Sequence, residues 1–165
     1  MLGRAVLSRL KRLACRVDKL LLLAQLVVTA YLTGLIWTIG VVHYPLFNLA
    51  ERGNFAAFEA AHSARISSIV LVPMVVELAL SGMLLLNPLS LAPAWAAWLG
   101  AGLVGVIWAS TFFLQVPQHA MLSSGFDQRA YELLVGTNWV RVVAWTARTA
   151  LLAWLVWAQL ARAPA

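Results

Sequence analysis

The chain has 165 residues, of which 62% are hydrophobic and only 11% charged. Soluble domains run near 45–50% and 25%, so a soluble globule is excluded, as are disorder, a collagen repeat and, with one cysteine, a disulfide scaffold. An integral membrane protein of one domain remains, with a net charge of +6.

Six of the twelve basic residues precede Leu20: Arg4, Arg9, Lys11, Arg12, Arg16 and Lys19. They surround Leu2, Val6, Leu10, Leu13 and Val17, an apolar stripe at helical spacing. Residues 1–19 therefore read as an amphipathic helix on an anionic membrane surface, or as a plain basic topogenic run. Interleaved aromatics and a basic groove are missing, so nucleic acid is not an expected partner.

Residues 20–163 form the transmembrane part. The first span, about 20–44, is apolar apart from Gln25, His43 and a few hydroxyls, and is long enough to cross a core of about 30 Å. It reads as a retained signal-anchor helix. The second, about 66–86, carries Pro73 and Glu77 and should end at Asn87-Pro88. Pro93 suits the first turn of the third, about 94–116, which Pro117 should stop or kink. The fourth, about 133–160, carries Arg141 and Arg148. The expected fold is all-α: a four-helix transmembrane bundle behind an N-terminal interfacial helix. No internal repeat is evident.

The loops expected at Phe47–Arg65 and Gln118–Glu132 share one side, and Asn87–Ala92 is a tight turn on the other. Lys and Arg concentrate on the turn side, Arg162 included. The positive-inside rule then places both termini in the cytoplasm of a bacterial cell, with the long loops outside its inner membrane. Trp95, Trp98, Trp154 and Trp157 fit an inner aromatic belt and Trp139 an outer one; Trp37, Trp108 and Trp145 lie deeper and should pack. The stripes Ala30-Gly34-Thr38 and Ala97-Ala101-Gly105-Ala109 would let helices approach closely.

All three histidines fall near the loop side. Glu59-Ala60-Ala61-His62 puts a carboxylate and an imidazole on one helical face, a pair that carboxylate-bridged metal sites use twice and this chain has once. Gln115 and His119 are four apart, although Pro117 between them should disturb the face. His43, His62 and His119, with Glu59 as a fourth ligand, could bind iron, copper or zinc, or two imidazoles could hold a haem. The alternative is that each histidine simply bonds backbone or solvent. Arg65, Gln115, Asn138 and Arg141 share this band and could orient an anionic or oxygen-rich substrate.

Glu77 and Arg148 lie deep. About 18 Å of helix separates Glu77 from Arg65, and about 15 Å separates Arg148 from Asn138. An isolated charge there costs at least about 2.5–3.5 kcal/mol, so the two are expected to pair, either to fix docking or to serve a polar cavity. Nucleophile-elbow, phosphate-loop, dinucleotide and dithiol motifs are absent.

His43-Tyr44-Pro45-Leu46-Phe47, His62-Ser63-Ala64-Arg65, Val116-Pro117-Gln118-His119 and Thr137-Asn138-Trp139-Val140-Arg141, with Trp145 and Arg148, resemble stretches of small four-span bacterial membrane proteins of unknown function. The layout is similar to the anthrone-oxygenase-like group of four-span proteins. The resemblance covers the four spans, not the basic N-terminus. It implies an oxygenase or related redox role on a lipophilic molecule and assigns no catalytic residue. The expected function is a small membrane oxidoreductase; the rivals are a structural or assembly subunit docked to a partner membrane subunit, and a small proton-coupled carrier using Glu77. Sequence alone does not decide whether the chain is an enzyme.

Overall fold

The structure, a computed structural model, describes residues 2–86 and 93–161; before Arg16 it describes the side chains of Val6, Leu7, Arg9, Leu10 and Leu13 only. The turn expected at Asn87–Ala92, Arg162, and the side chains of Arg4, Lys11, Arg12 and Cys15 lie outside the described residues.

Apolar residues dominate four long stretches, and with no water to satisfy the backbone, such stretches must bond internally as helices. Helix α1 spans Leu2–Thr38 and is followed by a π-helical turn at Ile39–His43 and a short helix α2 at Tyr44–Phe47. A single 3-10 turn at Arg52–Asn54 leads into α3, Phe55–Leu86. The second half has α4 at Ala94–Ser110, a π-helical turn at Thr111–Gln115, α5 at Val116–Leu122 and α6 at Gln128–Ala161. All four resulting rods are long and apolar enough to cross a membrane. The fold is an all-α membrane bundle.

The rods exceed the expected spans. The 37 residues of α1 reach about 55 Å, beyond a hydrocarbon core of about 30 Å. The basic amphipathic segment is thus helical and runs into the first span without a break. Helix α3 begins at Phe55 and α6 at Gln128, so both long loops shrink. Glu59 and His62 sit inside a helix. Asp127 Oδ1 accepts the Ala130 N–H at 2.7 Å and caps α6.

Pro45 and Pro117 each follow a π turn, whereas Pro73 sits inside α3 without one. Pro45 and Pro117 each lack an N–H, and each ring would strike the carbonyl four residues back. Each π turn begins six residues before its proline. The wider turn moves the obstructing carbonyl, and the helix continues through Pro117 instead of stopping there. The same succession of long helix, π turn, short helix, loop and long helix occurs twice, an architectural repeat that the sequence does not display.

Around the bundle, α1 and α4 are each flanked by α3 and α6. The core divides into two layers. One, toward the loop end, includes Leu32, Ile36, Phe47, Phe55, Ile107 and Trp145; the other, toward the termini, includes Leu22, Leu84, Ala96, Ala97, Leu152 and Leu155. Close approach is supplied by glycines outside the expected stripes. A Cβ on Gly100 would stand 2.8 Å from Arg148 Nη1, and one on Gly40 would stand 2.8 Å from Asn138 Nδ2. Ala30, Gly34 and Thr38 instead face outward, as do Gly105 and Ala109. Of the tryptophans expected to pack, Trp145 is buried but Trp37 is exposed, lying edge-on to Trp139 at 5.5 Å.

Candidate functional site

Between the two core layers lies a polar network that joins all four rods. Glu77 and Arg148 are brought together, with Arg148 Nε donating to Glu77 Oε1 at 3.0 Å. Thr29 Oγ1 donates to the same oxygen at 2.8 Å, and Trp145 Nε1 donates to Oε2 at 3.0 Å. The rest of the guanidinium is also used: Nη1 donates to the Gly100 carbonyl at 2.7 Å and Nη2 to Gln25 Oε1 at 3.0 Å. Gln25 Nε2 in turn reaches the Leu80 carbonyl at 3.1 Å. A buried pair is tolerable only when its remaining polar atoms are bonded, and here they are.

The second polar cluster sits nearer the loop end, where α1 and α4 have passed through their π turns. Buried positions on the first rod run Leu22, Gln25, Thr29, Leu32, Ile36 and Ile39, a helical rhythm of three and four. That rhythm would next bury His43. Because the π turn inserts one residue, the buried positions become Tyr44 and Phe47. The same shift on the third rod buries Gln115 after Ser110, leaving Leu114 exposed. Helix α3 has no such insertion, so Phe55, Glu59, His62, Met74 and Glu77 share one buried face. Helix α6 likewise aligns Asn138, Arg141, Trp145 and Arg148.

These faces meet in a chain of hydrogen bonds. Glu59, fully buried, holds His119 Nδ1 at 2.6 Å and the Ser63 hydroxyl at 2.9 Å on its Oε1. A carboxylate only accepts, so Nδ1 carries the proton. His119 Nε2 faces the Tyr44 hydroxyl at 3.2 Å. Arg141 Nη2 donates to the Tyr44 oxygen at 3.3 Å and to Asn138 Oδ1 at 2.6 Å. Tyr44 thus gives its proton toward an imidazole and receives a bond from a cation. Glu59, His119, Tyr44 and Arg141 form one continuous hydrogen-bonded path from a carboxylate to a guanidinium.

The expected metal ligands do gather, but not as a metal site. His43 Nε2 and His62 Nδ1 are 2.7 Å apart, a hydrogen bond. Two imidazoles on one ion at about 2.0–2.1 Å each would hold their nitrogens about 3–4 Å apart, both lone pairs toward the metal. Both His119 nitrogens are committed to Glu59 and Tyr44. No group of three or more His, Cys, Asp or Glu among the described residues is arranged to hold a metal ion. Iron, copper, zinc or haem ligation by His43, His62, His119 and Glu59 therefore does not fit this geometry.

No family model, curated protein or solved structure matches the chain.

The other expected site residues separate. Arg65 is exposed, and its nearest bond is 3.4 Å to the Ala61 carbonyl of its own helix. Gln115 is buried and ties α6 to the third rod, donating to Thr137 Oγ1 at 2.9 Å and accepting from Ser110 Oγ at 3.0 Å. Asn138 and Arg141 remain in the cluster.

Tyr44, Gln115, His119 and Arg141 form the polar end of a cavity of about 220 Å³. Its other walls are apolar, including Ile36, Met74, Trp108 and Trp145. Leu71 on α3 and Phe112 in the π turn after α4 line it and are 54% and 55% exposed. The cavity therefore opens sideways between those two rods, toward the bilayer. Periodicity missed Tyr44, Trp108 and Gly100; Gln25 and Thr29, four apart at the depth of Glu77, were a usable signal.

Proposed function

We propose that this chain draws a lipophilic molecule from the bilayer into the cleft between α3 and α4 and exchanges a proton with its polar head through Tyr44. One observation carries the reading: the Glu59–His119–Tyr44–Arg141 chain ends on the wall of a cleft whose mouth faces lipid. Ligand sites are commonly apolar clefts with a few convergent polar groups. A proton relay there is what acid–base chemistry on such a molecule requires.

The reaction class is oxidoreductase or oxygenase-like, resting on the resemblance noted above, with the relay supplying or taking the proton that accompanies the step. The membrane is a bacterial inner membrane with both termini in the cytoplasm, on the strength of the basic residues before Leu20. The cluster then lies toward the outer leaflet.

The outward-facing stripe Ala30-Gly34-Thr38 favours a second reading, docking onto a partner membrane subunit. The two readings separate on purification. Solvent extraction and mass spectrometry of protein in neutral detergent should recover a lipophile in stoichiometric amount, and Leu71→Trp at the cleft mouth should lose it. Recovery no greater than from a detergent blank, with a fixed partner protein co-purifying, would favour docking and end the cleft reading.

A further inference from the structure

Arg141 is 7% exposed and makes no ion pair among the described residues. Its Nη2 is spent on two neutral oxygens, and its Nε is buried with no hydrogen-bond partner. Following the hydrogen bonds, the first carboxylate is Glu59, reached only through Tyr44 and His119; its Oε1 holds His119 and Ser63, and its Oε2, also buried without a partner, makes no contact with Arg141. A permanently charged guanidinium in a membrane bundle normally pairs or reaches water. Arg148, on the same face of the same helix, does pair. A second orphan lines the same cleft: Trp108 Nε1 is buried without an acceptor.

Both unpartnered groups that line the cleft are donors, and one carries charge. Neutral head groups would satisfy the donors but leave the charge. We infer that the ligand of the cleft is an amphiphilic carboxylate of the fatty-acid type, its carboxylate on Arg141 with Trp108 as a second donor and its tail leaving between Leu71 and Phe112. The volume of about 220 Å³ is below the usual range of about 300–1,000 Å³ for whole ligands. It therefore suits a head group whose tail remains in lipid. This inference rests on the cleft reading and adds the sign and class of the head.

The test uses tryptophan quenching by brominated stearate and by brominated stearyl alcohol, on full-length protein in neutral detergent. Stearate should quench saturably and bind at least tenfold more tightly than the alcohol, since a charge-assisted bond is worth about a decade or more. Arg141→Gln should lose about tenfold in stearate affinity with the alcohol unchanged, and Arg141→Lys, which keeps the charge, should retain most of it. Trp108→Phe should remove most of the saturable signal. Equal affinities for the acid and the alcohol in wild-type protein would overturn the carboxylate while leaving a lipid-fed cleft. Absence of saturable quenching by either would overturn both. Displacement of stearate by an equal concentration of phosphatidylglycerol would replace the carboxylate by a lipid phosphate.

Discussion

Arg141 and Arg148 lie seven residues apart on one face of α6, both buried, and only Arg148 meets a carboxylate. Seven residues are about two helical turns, so the two guanidiniums sit one above the other along the bundle. The lower one is held by Glu77, Gln25 and the Gly100 carbonyl. Above it, the second borders an open cleft.

Breaking a buried pair strands one charge and costs about 3–5 kcal/mol, whereas removing both partners is often close to neutral. Glu77→Gln and Arg148→Met should each lower the thermal transition in detergent, and the double variant should regain much of the loss. Strictly additive losses would show that the 3.0 Å contact is not energetically coupled.

Gly100 is the point where α4 admits Arg148. Adding a Cβ 2.8 Å from Nη1 forces the guanidinium off the Gly100 carbonyl. Gly100→Ala should destabilise by about 1–3 kcal/mol through overpacking. Gly105→Ala on the same helix meets nothing within 4 Å and should be neutral or mildly stabilising, since alanine is the better helix former. Equal thermal shifts for the two would contradict the close approach.

Tyr44→Phe removes the hydroxyl that joins His119 to Arg141. Leaving buried partners unsatisfied costs about 1–3 kcal/mol. A double-mutant cycle with His119→Phe should show coupling, because the second change removes the partner of the first. Zero coupling energy in thermal or denaturant unfolding would mean that the 3.2 Å contact contributes nothing.

The π turn after α1 adds one residue, so removing one should restore an unbroken helix while keeping Tyr44 on its face. Deleting exposed Val42, combined with Pro45→Ala to relieve the ring clash, should yield a monodisperse protein in detergent. Deleting Val27 within regular helix turns everything downstream by about 100° and should abolish folding. Equal behaviour of the two deletions would refute the register argument.

Composition and apolar run length determined the class and the four rods, because a bilayer leaves the backbone no alternative to the helix. The pairing of Glu77 with Arg148 was also legible, since two opposite charges at one depth have a single inexpensive arrangement. The histidine band was legible as a place but not as chemistry. Histidine, glutamate and helical spacing fit a metal site or a hydrogen-bonded chain equally well, and only the tertiary structure shows the chain through Glu59, His119 and Tyr44. Tyr44 was hidden for a different reason. Periodicity assumes a constant turn, and one inserted residue before Pro45 exchanges His43 for Tyr44 on the inner face. The cleft is a property of how α3 and α4 meet, and the orphaned Arg141 is visible only once every neighbouring carboxylate has been placed.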